Sequence, residues 1–585
     1  MLRRLASWLV LGILTSVVLR VDSQAAAKPN VILITVDAAR ADRMGFLGAP
    51  SKLTPNLDAL AHQSIVFLQA YAQAPQTVPS HATILTGTYP QTHRASEFSV
   101  PLATSLPYLP DLLHAAGYRT AAFVGSILLD PRNGPFQSYD RGFDVYDANF
   151  HPPQPGEDRH PLPDRKAEEV IARATKWLAA NKQRPFFLWV HLHDPDRASA
   201  AYARAIASSD AAIGKLLDSL RAQSLYDDAV ILVASAHGQS LGAHGEDTHG
   251  IFLYDESIHV PLLLKLPKNH LANRQVKNRA RLLDVAPTLL EAAGVPVSSQ
   301  MQGQSLMRLA QSSSQADQPA YARADLPQQG FQCSAIESWR AGKYLYIRAP
   351  KPELYDVSAD PGATRNLAQT SKATLETLAA QLQAFDARLA NEPGKSTAGL
   401  TSSEMQKLAS LGYVGLQKSG SGVNTAVEGV DPKDIISVAN KTLAAFRDLD
   451  DGKPDKALPE LKQAAAAQPG SYLPQFGVGL ALFQQQQYAD AVPYLHKAIE
   501  LQPDSAWAHY SMGLTLAKTG DFKTAAVHLE IASQRLPAFS PLHSALAQVY
   551  DHLGRTQEAA RERTGVAQGD PKPGDPRQGD HKKND

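Results

Sequence analysis

Across 585 residues the chain has a single cysteine, Cys333, so no disulfide can form within it. It has no excess of charge either, with 57 Lys+Arg against 57 Asp+Glu. That balance removes the electrostatic case for nucleic acid. Past residue 19 no apolar run approaches the roughly twenty residues that cross a bilayer, so no membrane span is expected beyond the N-terminus. A long chain without disulfides draws its stability from large cores, and 44% apolar content is ordinary for that purpose. The length predicts two or three folded units. Cys333, in QQGFQCSAIESW, reads as a small packed apolar side chain.

The N-terminus runs MLRRLASWLVLGILTSVVLRVDSQAAAKPN. Two arginines, an apolar stretch from Leu5 to Leu19 and the small residues Ala25 to Ala27 form a secretory signal pattern over residues 1–27. The expected location is secreted or periplasmic. An uncleaved signal that anchors the chain to a membrane is the alternative.

The C-terminal part repeats. Pro469, Pro503, Pro537 and Pro571 are 34 residues apart, and Ala457, Ala491, Ala525 and Ala559 keep the same spacing. Gly479 and Gly513 follow it too. Small residues at fixed places in a 34-residue unit let two helices approach closely, and the proline ends the second helix. YLPQFGVGLALFQQQQYADAVPYLHKAIELQP resembles the tetratricopeptide repeat, which implies an all-α solenoid of three to four repeats over residues 433–573. Such a solenoid implies a protein or peptide partner. Residues 391–432, rich in Gly, Ser and Thr, read as a linker with one short helical piece. Residues 574–585 read as a disordered tail.

Between residues 28 and 390, three continuous apolar runs stand out: VILITV (31–36), PFFLWV (185–190) and AVILVAS (229–235). Short unbroken runs of branched and aromatic residues suit strands buried on both faces of a parallel sheet. Helical patterns such as LTPNLDALAHQ and DRKAEEVIARATKWLAANK alternate with them. The expectation is an α/β fold, a mostly parallel sheet with helices on both faces. VPLLLKLP (260–267) is expected to add a strand.

Each run leads into residues that bind metals. VILITV leads to Asp37; PFFLWV leads to His191, His193, Asp194 and Asp196; AVILVAS leads to His237, with His244 and His249 following. Ligands of open α/β sheets gather beyond the carboxyl ends of the strands. In TVPSHATILTG, Thr77 precedes Pro79 at the start of a predicted helix, with Ser80 as a candidate cap. A hydroxyl there lies where free N–H groups attract an anion, a suitable place for a nucleophile.

Taken together, VILITVDAARADRMG, TPNLDALA, TVPSHATILTG, SAHGQSLGAHGEDTHGIFLYDESIHVPLLLKLP, LLDVAPTLLEAAGVP, MQGQSL and ESWRAGKYLYIRAPKPELYDVSADPGATRNLA resemble successive blocks of the sulfatase family, in the alkaline-phosphatase superfamily. The resemblance implies an alkaline-phosphatase-like fold and a hydrolase or phosphotransferase acting on sulfate or phosphate esters. It implies a divalent metal (zinc, manganese or calcium) held by Asp37, Thr77, Asp194, His237 and His249. Thr77 falls at the nucleophile position, where sulfatases proper carry a cysteine or serine oxidised to formylglycine, and His81 falls at a catalytic arginine. Threonine cannot become formylglycine, and is the nucleophile of zinc phosphodiesterases in the superfamily. Three departures stand out: Ala236 where a ligand aspartate is usual, Gln239 where an acid is usual, and Asp196 where a histidine is usual. A catalytically degenerate scaffold that binds proteins through its repeats is the competing reading.

Overall fold

The computed structural model describes residues 28–569 except 51, 97–100, 132–137, 149, 151–164, 183–184, 194–198, 312–315, 391–400, 412 and 414–428. The signal segment, the tail from residue 574, Asp194 and Asp196 lie outside the described residues.

The main sheet has eight strands: β1 (Val31–Val36), β2 (Ile65–Phe67), β3 (Arg119–Val124), β4 (Val145–Asp147), β5 (Phe186–Leu192), β6 (Val230–Ser235), β7 (Leu262–Lys265) and β8 (Arg274–Val276), in the order β8-β2-β7-β6-β1-β5-β3-β4. β1 pairs in parallel with β5 and β6 at the centre, and β7 runs antiparallel to both its neighbours. The unbroken apolar character of β1 has a direct cause. Successive side chains point to opposite faces, and both faces are covered. Val31 and Leu33 join one core, with Leu85, Leu109 and Leu289; Ile32, Ile34 and Val36 join another, with Leu60, Ile171 and Leu217.

A second, antiparallel sheet follows: β9 (Ala320–Ala324), β10 (Ile336–Ala341), β11 (Tyr344–Arg348) and β12 (Glu353–Asp356), paired in sequence order. The helix Lys372–Ala390 packs on it, setting Leu378, Leu382 and Phe385 against Tyr321, Trp339 and Tyr346.

From residue 436 the chain is helical hairpins: Ile436–Asp450 with Pro454–Ala467, Tyr472–Gln484 with Tyr488–Leu501, Ala506–Thr519 with Phe522–Ser533, and Ser540–His552 with Thr556–Gly569. The repeat glycines are where the paired helices touch. A Cβ on Gly479 would lie 2.6 Å from Leu495 Cδ2, and one on Gly513 would lie 2.6 Å from Leu529 Cγ. Ala457, Ala491, Ala525 and Ala559 are fully buried. The helical piece of the linker is Ser402–Ser410, begun by a capping box of Thr401 and Glu404. It docks on the solenoid through a part-buried Glu404–Arg535 pair at 2.8 Å.

Candidate active site

Register at the strand ends assembles the site. Val36 lies opposite Leu192 on one side and Ser235 on the other. The next residue of each strand therefore emerges at the same level: Asp37, His193 and Ala236. The Asp37 N–H bonds the Leu192 carbonyl at 3.0 Å, and Ala38 turns the chain back in a left-handed conformation (φ 55°). The Ser235 hydroxyl receives the Ala39 N–H at 3.0 Å and lies 2.8 Å from the Val36 carbonyl, stapling the two loops.

Thr77 opens the helix Thr77–Thr86, whose N-cap is Gln76. Ser80 is not the cap: it sits within the helix, its hydroxyl donating to the Ala74 carbonyl at 2.8 Å. The helix begins earlier than expected because Pro79 lies in the first turn, where no N–H is required. Thr77 Oγ1 is 2.9 Å from Asp37 Oδ2 and 3.2 Å from His237 Nε2, and all three residues are buried.

Hydrogen-bond partners fix the tautomers. His237 Nδ1 faces the Gly238 carbonyl at 2.8 Å, so Nδ1 carries the proton and Nε2 turns a lone pair toward Thr77. His249 Nδ1 faces Gln239 Oε1 at 2.6 Å, which likewise leaves its lone pair on Nε2. The two rings lie 4.3 Å apart. Gln239 thus does by amide oxygen what an acid would do for His249.

His81 sits behind Thr77. Its Nδ1 donates to the Thr77 carbonyl at 2.7 Å, and its Nε2 accepts from the Thr35 hydroxyl at 3.0 Å, which itself receives Trp189 Nε1–H at 3.0 Å. Burial drives His81 down to about 3, so it is neutral, and both nitrogens are engaged. It steadies Thr77 from behind.

Two further neighbours of Asp37, both at a strand end in the sequence, are absent from the resemblance-derived ligand set. His193 Nδ1 lies 3.0 Å and His191 Nε2 3.1 Å from Asp37 Oδ2. Two positions apart, their side chains leave the strand on one face; the spacing HLH was the available signal. Burial pushes the Asp37 carboxyl up, but the imidazoles of His191, His193 and His81 outweigh it and hold it well below the usual range. Burial holds His237 below its usual value, against the pull of Asp37.

Asp37, His81 and His191 offer metal-binding atoms within 4.8 Å of one another. Two of the three are committed elsewhere: His81 as above, and His191 because its Nδ1 accepts the Gly125 N–H at 3.3 Å, which places its proton on Nε2. Asp37 Oδ1, buried and without a hydrogen-bond partner, is available. His237 Nε2 lies 3.9 Å from it, near the roughly 3.3 Å that separates two ligands of one tetrahedral zinc. The residues present therefore fit a cation. Imidazoles around one carboxylate suit zinc or manganese better than calcium, which takes six to eight oxygens. Glu246 and Asp247 lie outside this group. Glu246 is spent on the Ile251 N–H and the Ser240 hydroxyl, both at 2.7 Å, and Asp247 is exposed. Ala236 is fully buried and contributes only its methyl.

Comparison with known proteins agrees with this architecture. Residues 29–295 match the sulfatase family model and residues 247–388 the model of the N-sulphoglucosamine sulphohydrolase C-terminal region. Residues 29–388 thus carry sulfatase-family domains, and tetratricopeptide repeats follow them, where residues 479–520 match the TPR repeat model. It is 26% identical over 415 residues to an ulvan-active sulfatase of Formosa agariphila, spanning 61% of this chain and 80% of that protein. It is 24% identical over 426 residues to a Δ4,5-hexuronate-2-O-sulfatase of Bacteroides thetaiotaomicron, spanning 60% and 86%. Among solved structures it resembles a phosphonate monoester hydrolase of Agrobacterium radiobacter (TM-score 0.51, 21% identity, 62% of this chain and 96% of that one) and a 2-O GAG sulfatase (0.52, 18%, 62% and 93%). These place the fold in the alkaline-phosphatase-like class. Among the described residues no helix is long and apolar enough to cross a membrane.

Proposed function

We propose that the protein is an exported, metal-dependent hydrolase or phosphotransferase of sulfate or phosphate esters, with Thr77 as nucleophile. The observation that carries this reading is Thr77 Oγ1, held at a helix N-terminus 2.9 Å from Asp37 and 3.2 Å from the lone pair of His237. Sulfatases and phosphonate monoester hydrolases among its relatives support the ester class.

Asp37 Oδ2, which accepts the Thr77 hydroxyl at 2.9 Å, takes its proton, and the freed Oγ attacks the esterified sulfur or phosphorus while the bond to the leaving oxygen breaks; the Nε2 lone pair of His237 is left for a metal ion. His81 and Asp37 keep the hydroxyl in place throughout. The N–H groups that the helix start can offer to the anionic oxygens are those of Thr77 and Val78, since Pro79 has none and Ser80 N–H bonds the Gln76 carbonyl at 3.2 Å. A divalent ion held by Asp37, His237, His249 and Thr77, with Asp194 as a further candidate ligand, would neutralise charge on those oxygens.

A second reading is a framework that has lost its chemistry and acts through its repeats. Ala236, a buried methyl among the ligand positions, favours it. One experiment separates the two. The chain from residue 28 onward is assayed on aryl sulfate, phosphate monoester and phosphodiester substrates with added zinc, manganese or calcium. Turnover that falls at least about a thousandfold in Thr77→Ala supports the enzyme. No turnover in the parent, with activity gained in Ala236→Asp, supports the disarmed framework.

A further inference from the structure

His249 and Gln239 belong to one loop, residues 239–251, closed on itself by Ser240 N–H to the Thr248 carbonyl (2.7 Å) and Gly242 N–H to the Glu246 carbonyl (2.8 Å). Its outer turn holds four left-handed residues: Leu241, Gly242, His244 and Gly245, at φ 53°, 88°, 52° and 83°. An exposed turn of that kind is easily loosened unless something outside holds it.

The solenoid holds it. Asn440, in the first solenoid helix (Ile436–Asp450), donates Nδ2–H to the Gly245 carbonyl at 2.7 Å and accepts the Asp247 N–H at Oδ1 at 3.1 Å. The amide can be oriented only one way, since a carbonyl accepts and a backbone N–H donates. A second tie converges on the same turn. Lys433 Nζ bonds Glu353 Oε1 at 2.7 Å, and Glu353 Oε2 accepts the Tyr254 hydroxyl at 2.6 Å. The Tyr254 ring stacks on His244 at 3.6 Å with planes 12° apart. Two residues of the segment that begins the repeats thus hold the loop that presents His249.

We propose that Asn440 is a positioning residue for the candidate site, and that the solenoid completes the site's scaffold. This rests on the reading of His249 as part of a metal-binding ester site. Asn440 touches neither Thr77 nor the ligand atoms; it acts through the outer turn, which sets where the loop presents His249. A partner bound to the first repeat acts on the site through the same contact, and occupancy of the site acts back on the repeat.

The test uses the full chain after the signal segment, with Asn440→Ala and, as a control on the same helix, Lys441→Ala. Amide hydrogen exchange is followed by mass spectrometry, and zinc affinity by titration with zinc alone. In Asn440→Ala the exchange of residues 242–249 is expected to rise about tenfold or more while strand β6 is unchanged. Zinc affinity is expected to fall about 10- to 100-fold, the range for outer partners of metal ligands. Lys441→Ala is expected to move neither. Unchanged exchange in Asn440→Ala overturns the proposal, and so does a loosened turn with unchanged zinc affinity. A parent chain that takes up no zinc defeats the ester-site reading, and this inference with it. Equal zinc binding by parent and Asn440→Ala defeats this inference alone.

Discussion

In the solenoid, His509 and His528 meet Nδ1 to Nδ1 at 2.9 Å, and every ring nitrogen has a partner. His509 Nε2 donates to the Pro503 carbonyl at 2.9 Å, so His528 donates to His509 and turns its own Nε2 to the Tyr413 hydroxyl at 3.4 Å. The chain of bonds closes on a carbonyl with nothing left over. Beside Asp37 the same residue type is used differently. Asp37 Oδ1 is buried with no hydrogen-bond partner, and His237 Nε2 keeps its lone pair 3.9 Å from it. A buried polar atom without a partner costs about 1–3 kcal/mol. A bound ion is one way to satisfy such an atom. The histidine pair of the solenoid holds structure; beside Asp37, His81 and His191 do so too, while the Nε2 lone pair of His237 is left to hold something more.

The sharpest way to break this comparison is to remove one member of each cluster. Asp37→Asn is expected to lower zinc affinity by more than about 100-fold, beyond the effect of changing an outer partner. It should also lower thermal stability, because Asp37 Oδ2 lies against Thr77, His191 and His193 and the folded state favours its charged form. His528→Ala is expected to leave zinc affinity alone and to destabilise the solenoid by about 2–4 kcal/mol, through a cavity and an orphaned His509. Titration with zinc and denaturant unfolding read the two effects separately. If both variants lose stability and neither loses zinc, the distinction between the clusters fails.

How much of this was legible in the sequence depends on the range of the interaction that carries it. The sheet was legible because strands buried on both faces must read as VILITV and AVILVAS. Thr77 was legible because a helix start is local, although the boundary was misjudged at Ser80, where Pro79 obscured the first turn. The solenoid was legible because Gly479 and Gly513 recur where a side chain cannot fit. Strand pairing was not legible, and the neighbours of Asp37 depend on it. HLH reads equally as His191 and His193 facing Asp37 or facing away, and only the register of Val36 against Leu192 decides. Gln239 looked like a lost acid because sequence shows the charge and not the hydrogen bond. Asn440 carried no signal, since its partners lie 193 and 195 residues away.

The next prediction tests whether the solenoid's order is steric, as the comparison requires. Gly513→Ala places a methyl 2.6 Å from Leu529 Cγ and 3.2 Å from the Ala525 carbonyl. Neither atom is the free end of a flexible chain, so the helices must separate. A loss of about 1–3 kcal/mol is expected in the solenoid, seen as a lower denaturant midpoint for that unit, with zinc affinity unchanged. A variant as stable as the parent would mean that the paired helices are not closely packed.

The smallest expected effect is in pH, where the two regions should lean in opposite directions. In the loop of the candidate site, burial raises the Glu246 carboxyl from its ordinary 4.5 to about 7. A carboxyl held higher in the folded state stabilises fully below pH 4.5, and that contribution is lost as the pH rises through 7. In the solenoid, burial lowers His509 from 6.5 to about 4. A histidine held lower contributes fully above pH 6.5, and its contribution is lost as the pH falls toward 4. Between pH 4.5 and 6.5 each group changes stability by at most about 1.4 kcal/mol per pH unit. Amide exchange across that window should therefore quicken with rising pH around Ile251 and Phe252, beyond the intrinsic chemical rate, and slow relative to it around His509. Glu246→Gln should flatten the first trend and leave the second. Parallel trends in the two regions would show that their buried groups are not governed by the local surroundings described.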